Sequence, residues 1–331
     1  MAAPAEAGAA EGDPRVAKPT PGRPVSMTSP VAGLALMAAA MLLLPAGDAI
    51  AKHLTAITAY GAGFLAWSRF VVGLALIAPV AAGNGQLSGL GAGFLLRQAV
   101  RGGLVASAIM CVINAVKTAP LADVYGAFFV GPTAAIVMAR LLLGERVRPA
   151  EWVAVLLGFA GVLLIVRPTG ALTPGLLWAL GAGMSFGGFL VATRWAAGTA
   201  PPLAQLAGQL FFGFAFLAPL GIGDLLRLGI EAPGWLLAMA LTSALANLLQ
   251  ILAVRHAGAA MLAPVVYVQI AAATALGWAL FGDRPDGWTA AGLAVIVTAG
   301  LCRVPWRGRA RTALPTPGAA GPGLARRGEI E

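Results

Sequence analysis

The feature that most limits how this chain can fold is a succession of long apolar runs. Ten can be marked, over about residues 31–53, 61–82, 102–118, 121–143, 152–166, 175–196, 203–220, 235–255, 259–281 and 288–303. A bilayer's hydrocarbon core is about 30 Å thick, and a helix of ~20 apolar residues crosses it. In lipid only helices and closed barrels satisfy every backbone N–H and C=O, and continuous runs of this length are helical. Composition points the same way. The chain is 59% hydrophobic and 11% charged, whereas soluble domains carry about 25% charged residues. Its mean hydropathy is +0.84. The fold class expected is therefore all-α and integral to a membrane. Several runs fall short of twenty residues, which suits closely packed helices. The 44 glycines suit them too, because small residues let helix backbones approach.

A net charge of +9 would fit a nucleic-acid binder, but its placement argues against one. The basic residues lie at run ends and in the tails, as expected for membrane topology. With the N-terminus inside, the inner side collects Arg15, Lys18, Arg23, Arg97, Arg101, Arg146, Arg148, Arg194, Arg255 and the six arginines from Arg303 to Arg327. The outer side collects only Lys52, Lys117, Arg167, Arg227 and Arg284, and Arg69 and Arg140 fall within runs. Both termini are expected inside. Residues 1–30 and 305–331 are Pro/Ala/Gly-rich and polar, and read as disordered cytoplasmic tails. The first of them is too polar for a signal-peptide core. Cys111 and Cys302 sit in apolar runs, without disulfide or metal spacing.

One stretch occurs twice. Residues 115–146 align without a gap on residues 253–284, at an offset of 138. Ala115, Val130, Leu142, Gly144 and Arg146 meet identical residues, Lys117 meets Arg255, and Glu145 meets Asp283. The chain thus divides into five-helix units at 31–168 and 173–304. An odd number of spans per unit gives the two units opposite orientations. Ten helices as two inverted repeats is the predicted architecture, and transporters built this way hold substrate at the repeat interface near the midplane.

Particular residues carry the resemblance to a known family. The first unit has Ala115-Val116-Lys117, Pro132, Leu143-Gly144-Glu145, Trp152 and the run Gly158 to Leu164. The second has Leu262-Ala263-Pro264, Tyr267, Gln269, Phe281-Gly282-Asp283, Pro285-Asp286 and the run Gly292 to Gly300. Asp48, Lys52 and Arg69 precede them. In their order and spacing these residues resemble the EamA type of the drug/metabolite transporter superfamily, over about residues 31–304. The resemblance implies a multi-pass carrier of the bacterial inner membrane with ten helices and a central cavity. It implies a small-molecule cargo such as an amino acid, a metabolite, a nucleoside-like compound or a drug.

Candidate substrate-binding residues follow from polar groups within apolar runs. Asp48 and Lys52, four apart, share a helical face. Arg69 lies roughly 12 Å along the second run at 1.5 Å per residue. An intramembrane charge costs about 2.5–3.5 kcal/mol on insertion scales and calls for a partner or a wet cavity. Asp48 and Arg69 are read either as a gate or substrate-path pair, or as a structural ion pair; Lys52 is read as snorkelling. Ser107, Cys111 and Asn114 form one polar stripe, and Ser243, Asn247 and Gln250 a second with the same spacing. The stripes pair at an offset of 136, two residues from the repeat register, so they face about 200° apart. Asn114, Asn247 and Gln250 are candidates to line a cavity or to bond helices together. Tyr125, Gln209 and Tyr267 complete the set, with Gln269 ranked below them. Pro132 and Pro264 are candidate hinges, because proline removes a helical hydrogen bond. Glu145-Arg146 and Asp283-Arg284 read as surface ion pairs at helix stops.

No catalytic or metal-binding pattern is visible, no cofactor is expected, and the Gly-rich run 89–93 does not follow a strand as a dinucleotide loop would. The function expected is secondary transport by alternating access, with proton-coupled export as one form and uniport or exchange as others. A lipid flippase and a non-transporting membrane enzyme are the alternatives. The expected partners are a small-molecule substrate and the lipid bilayer, with a proton and a second copy of the chain left open and no nucleic acid.

Overall fold

The computed structural model describes residues 30–144, 149–166, 173–256 and 262–301. All regular structure among these residues is helical. The helices are α1 (Pro30–Ile57), α2 (Ala62–Gly83), α3 (Ala92–Thr118), α4 (Leu121–Phe128), α5 (Val130–Leu143), α6 (Pro149–Val166), α7 (Pro174–Ala196), α8 (Pro202–Leu228), α9 (Pro233–His256), α10 (Val268–Phe281) and α11 (Gly287–Leu301). A 3-10 turn, Ala263–Tyr267, leads directly into α10. Six stretches are long and apolar enough to cross a membrane: α1, α2, α3, the α4–α5 pair taken as one, α7 and α8. Shorter apolar stretches occur at Val155–Val166, Val265–Phe281 and Gly287–Ala299. Large apolar side chains are exposed along these helices, among them Leu141, Leu156, Leu226 and Leu280, as lipid-facing surfaces require.

Two boundaries differ from those expected. The third helix begins at Ala92, ten residues before the apolar run at 102. Arg97 and Arg101 are therefore within the helix, not in a loop ahead of it. The eighth helix runs to Leu228 and carries Pro219 inside it, where the apolar run stops at 220. In both cases helix hydrogen bonding continues through polar and glycine-containing sequence, because close packing against neighbours stabilises turns that hydropathy does not favour.

The fourth and ninth apolar runs are each interrupted, at positions 138 residues apart. Phe129 separates α4 from α5, and Tyr267 closes the 3-10 turn ahead of α10. The segments that follow, Val130–Leu143 and Val268–Phe281, are 14 residues each. Both end on glycines in the left-handed conformation, Gly144 at φ 67° and Gly282 at φ 71°. That conformation suits glycine at a helix stop. Pro132 sits two residues into α5, so the hydrogen bond it cannot donate is the one Phe128 O would accept. The helix ends there, as a proline ring and a missing N–H dictate. The 3-10 segment begins with proline as well, at Pro264.

The packing follows a regular exchange. With each interrupted run taken as one span, α1 packs on α9 and α7 on α3, while α2 packs on α8 and α6 on α11. The α5·α7 and α1·α10 contacts form a further matched pair. Each of these six contacts maps onto another of them, or onto itself, when span n is exchanged for span n+5. The α6·α11 pair crosses on Gly161 and Gly292. A Cβ on Gly161 would lie 2.9 Å from the Gly292 carbonyl oxygen, and a Cβ on Gly292 would lie 2.6 Å from that of Gly161. Close glycine crossings of this kind replace the hydrophobic driving force that lipid does not supply. This pair stands outside the cavity wall and leaves the remaining spans to enclose a central space.

Candidate functional site

That space is a cavity of about 1130 Å³. Its lining runs from Met37 to Asp48 on α1 and from Arg69 to Val80 on α2. These two helices are antiparallel, so the cavity extends from the Asp48–Arg69 level towards the end of the bundle where α1 begins and α2 finishes. Most of the wall is apolar, as ligand sites of this size usually are, with a few polar groups to orient what they hold.

Three polar side chains meet at the far limit of the cavity. Arg69 Nη1 donates to Asp48 Oδ1 at 2.7 Å, and Tyr125 Oη donates to Asp48 Oδ2 at 2.8 Å. Arg69 Nη2 also donates to the Gly47 carbonyl at 3.0 Å. Asp48, Arg69 and Tyr125 are 7%, 8% and 5% exposed. Both carboxylate oxygens are thus engaged, by a cation from α2 and a hydroxyl from α4. This ties three helices through one side chain of α1. The Arg69 Nε–H is buried without a partner among the described residues. Asp48, Arg69 and Tyr125 were separate candidates in the sequence, and the fold brings them together.

Beyond this triad the bundle is tied shut. Lys52 Nζ pairs with Asp283 Oδ2 at 2.5 Å and lies 4.6 Å from the Phe281 ring centroid. The Gly61 N–H donates to Asp224 Oδ2 at 2.8 Å, Tyr60 Oη donates to the Gly229 carbonyl at 2.9 Å, and Thr289 Oγ1 donates to Asp123 Oδ1 at 2.7 Å. Each contact joins the first five spans to the last five. Lys52 is therefore anchored rather than snorkelling, and Asp283 takes Lys52 as its ion partner. Glu145 and Arg146 lie outside the described residues.

An aromatic wall runs the other way. Phe128 and Phe186 have ring centroids 5.0 Å apart, and Phe186 and Phe189 5.9 Å apart. Tyr125 lies 6.2 Å from Phe128 at the triad end. All four line the cavity. The wall is open there because α5 and α7 approach on glycines. A Cβ on Gly183 would lie 2.5 Å from the Phe128 carbonyl oxygen, the one freed by Pro132.

The other sequence candidates divide. Gln209, Asn247, Gln250 and Pro132 line the cavity. The Asn247 amide donates to the Ser243 carbonyl of its own helix at 2.9 Å, and that of Gln250 to the Ala246 carbonyl at 3.4 Å. Asn114 is not on the cavity wall; its amide donates to the Met110 carbonyl at 3.1 Å. Ser107 meets Ser185 at 3.2 Å. The two polar stripes thus face different surroundings, as their two-residue phase difference requires. Tyr267 is also off the wall. Its ring lies against Phe129 at 5.2 Å, so the residues at the two helix breaks touch. Gln269, ranked below it, is 6% exposed and lines the cavity. The intervening 3-10 turn explains the exchange. It advances about 120° per residue instead of 100° and so rotates the face that follows. Pro264 lies within this turn.

A second buried arginine, beside the cavity and not on its wall, is missing from the candidates. Arg101 is 6% exposed and donates to Thr193 Oγ1 at 3.2 Å, Gln98 Oε1 at 2.7 Å, Gln205 Oε1 at 3.3 Å and Gln209 Oε1 at 2.9 Å. Its position near a helix start made it look like a topology signal. The pattern Gln98, Arg101 on one helix with Gln205, Gln209 on another, at helical spacing on each, was the signal available. Among the described residues, no group of three or more His, Cys, Asp or Glu could hold a metal ion.

Residues 173–302 match the EamA-like transporter family. A riboflavin transporter of Rhizobium johnstonii is 31% identical over 208 residues, which are 60% of this chain and 63% of that protein. The matched stretch thus spans less than two thirds of that relative's length. A pseudopaline exporter of Pseudomonas aeruginosa is 28% identical over 211 residues, covering 60% of this chain and 72% of the relative. A riboflavin transporter of Brucella anthropi is 27% identical over 244 residues, 72% of this chain and 86% of the relative. A solved crystal structure aligns with a TM-score of 0.53 at 20% identity, over 82% of this chain and 96% of that one. At that identity the likeness is one of fold alone.

Proposed function

We propose that this chain is a carrier of the EamA type of the drug/metabolite transporter superfamily, which its second half matches, and that it moves a small organic solute across a bacterial inner membrane by alternating access. The observation that carries the reading is the cavity itself. It is about 1130 Å³, large enough for a drug-sized molecule, and lies where the first five spans meet the last five. One end is tied by Lys52–Asp283 and the triad, and the lining leads to the other end. A passage sealed at one end and extended towards the other is one half of an alternating-access cycle.

The two halves act as inverted repeats of five spans, residues 31–168 and 173–304. Both termini are cytoplasmic, so the cavity faces inward and the Lys52–Asp283 end faces outward. The matched breaks at Phe129 and Tyr267 and the exchange of helix contacts between halves support this. Asp48, Arg69 and Tyr125 form the layer that the solute must pass. Gln209, Asn247 and Gln250 offer it amides, and the phenylalanine wall offers faces for a flat ring. Pro132 and Pro264 mark the positions where the helices flex. Two relatives carry riboflavin transport in their names, so a flavin is the first solute to try.

The test is flux of riboflavin into or out of proteoliposomes, read by its fluorescence, with and without an imposed pH gradient. Protein-dependent flux that falls at least tenfold in Asp48→Asn, with the protein still inserted and monodisperse, is the expected result. Flux equal to that of empty vesicles, for riboflavin and for a panel of aromatic metabolites, overturns the transport reading. Dependence on the pH gradient separates proton coupling from uniport.

A further inference from the structure

Two arginines are buried among the described residues, and they are not equivalent. Arg69 is neutralised by Asp48 at 2.7 Å. Arg101 has only neutral hydrogen-bond partners among the described residues: one threonine hydroxyl, the side-chain carbonyls of three glutamines and the Gln205 backbone carbonyl. Buried charges are ordinarily paired, because an isolated one loses its hydration without compensation. Here the guanidinium sits in a pocket made for it. Gly102 and Gly208 bring α3 and α8 so close that added Cβ atoms would lie 2.8 Å from the Gln209 carbonyl oxygen and 2.7 Å from the Gln98 side chain. The Gln98 side chain is wholly buried, and its Nε2 donor has no partner among the described residues. A lone cation and an unused amide donor are thus held side by side.

The pocket adjoins the cavity. Gln209 lines the cavity and accepts from Arg101 Nη2. Val105, one turn along α3 from Arg101, lines it too, as does Phe189, whose ring centroid is 5.6 Å from the guanidinium carbon. The phenylalanine wall that starts beside Tyr125 therefore ends at Arg101. Rotation of the Gln209 amide would free an Nη2 proton and turn the amide N–H groups to an incoming oxyanion.

We propose that Arg101, with Gln98 and Gln209, is an oxyanion subsite at the end of the cavity remote from Asp48, and that it binds the carboxylate or phosphate of a solute whose aromatic part lies along Phe186 and Phe189. The proposal rests on the transport reading, and it adds the charge of the cargo and the direction in which the cargo lies. The neutral oxygens of the glutamines hold the guanidinium in position until the anion replaces one of them. Charge-assisted bidentate bonds to arginine are the strong form of this contact.

The test compares flavin mononucleotide, which carries a phosphate, with riboflavin, which does not. Binding to the purified full-length protein is read from quenching of flavin fluorescence, at two salt concentrations. Wild type is expected to bind the mononucleotide about tenfold more tightly or better, as one charge-assisted contact supplies. Arg101→Gln is expected to remove that preference, bringing the ratio of the two affinities, measured on the same variant, to about one. Arg101→Lys, which keeps the charge, is expected to retain part of the preference and controls for a purely structural loss. Equal affinity of wild type for the two flavins, a preference that survives in Arg101→Gln, or no binding of the mononucleotide overturns the subsite. Riboflavin flux in proteoliposomes is measured on the same wild-type preparation. If it persists when the subsite fails, the transport reading stands without it; if it is absent too, that reading has failed as well.

Discussion

Removing the Asp48 carboxylate should destabilise the protein more than removing the whole polar triad. In Asp48→Leu the Arg69 guanidinium keeps only the Gly47 carbonyl, and the Tyr125 hydroxyl loses the acceptor that it meets at 2.8 Å. The side chains of Arg69 and Asp48 are 7% and 10% exposed, so solvent screens little of the loss. Breaking a buried pair by deleting one partner costs about 3–5 kcal/mol. A stranded buried hydroxyl adds about 1–3 kcal/mol. The triple variant Asp48→Leu, Arg69→Met, Tyr125→Phe leaves no charge and no hydroxyl behind, and replacing a buried pair by apolar groups of similar volume is often close to neutral. The assay is reversible unfolding in mixed micelles, with all eight members of the cycle measured. The single variant is expected to be less stable than the triple by at least about 2 kcal/mol. A triple variant as unstable as the single one, or a single variant that loses less than about 1 kcal/mol, refutes the view that this triad is a coupled buried network.

Three further outcomes follow from contacts at other points of the wall. Gly183→Val places a branched side chain where even a Cβ would lie 2.5 Å from the Phe128 carbonyl; α5 and α7 must separate, and loss of several kcal/mol of stability in the same unfolding assay is expected. Lys52→Met removes a pair whose side chains are 17% and 21% exposed; stability should fall by only about 1 kcal/mol, while a cysteine introduced at Ala56 should react faster with a water-soluble maleimide. Pro132→Ala returns an N–H to the Phe128 carbonyl and allows α4 to run on into α5; the thermal midpoint should hold or rise while riboflavin flux drops several-fold, and unchanged flux removes Pro132 as a hinge.

Much of this arrangement was legible in the residues. Apolar runs declared the helices, because a bilayer imposes a length on them. Asp48 and Arg69 announced each other, because two intramembrane charges of opposite sign on successive spans have few alternatives to pairing. The match of residues 115–146 with 253–284 announced a repeated unit, and the interruptions at Phe129 and Tyr267 lie at corresponding places within it. Other features were hidden for physical reasons. The start of α3 at Ala92 lies in glycine-rich sequence with two arginines, where hydropathy reports solvent and packing decides the helix. Arg101 was hidden with it, since a basic residue beside an apolar run usually marks an inner membrane face. Asn114 could have faced either way, because an amide can satisfy itself on the preceding turn of its own helix, as it does on Met110. Tyr267 and Gln269 exchanged places because a 3-10 turn shifts the phase that α-helical spacing assumes.

The contact between Phe129 and Tyr267 has a mechanical consequence. Each ring sits at the interruption of its own span, and their centroids are 5.2 Å apart. A bend at one interruption moves the surface against which the other rests, and close-packed rings leave no slack to absorb it. If the two interruptions move as one, relaxation after a ligand jump should show one rate when it is followed from either span.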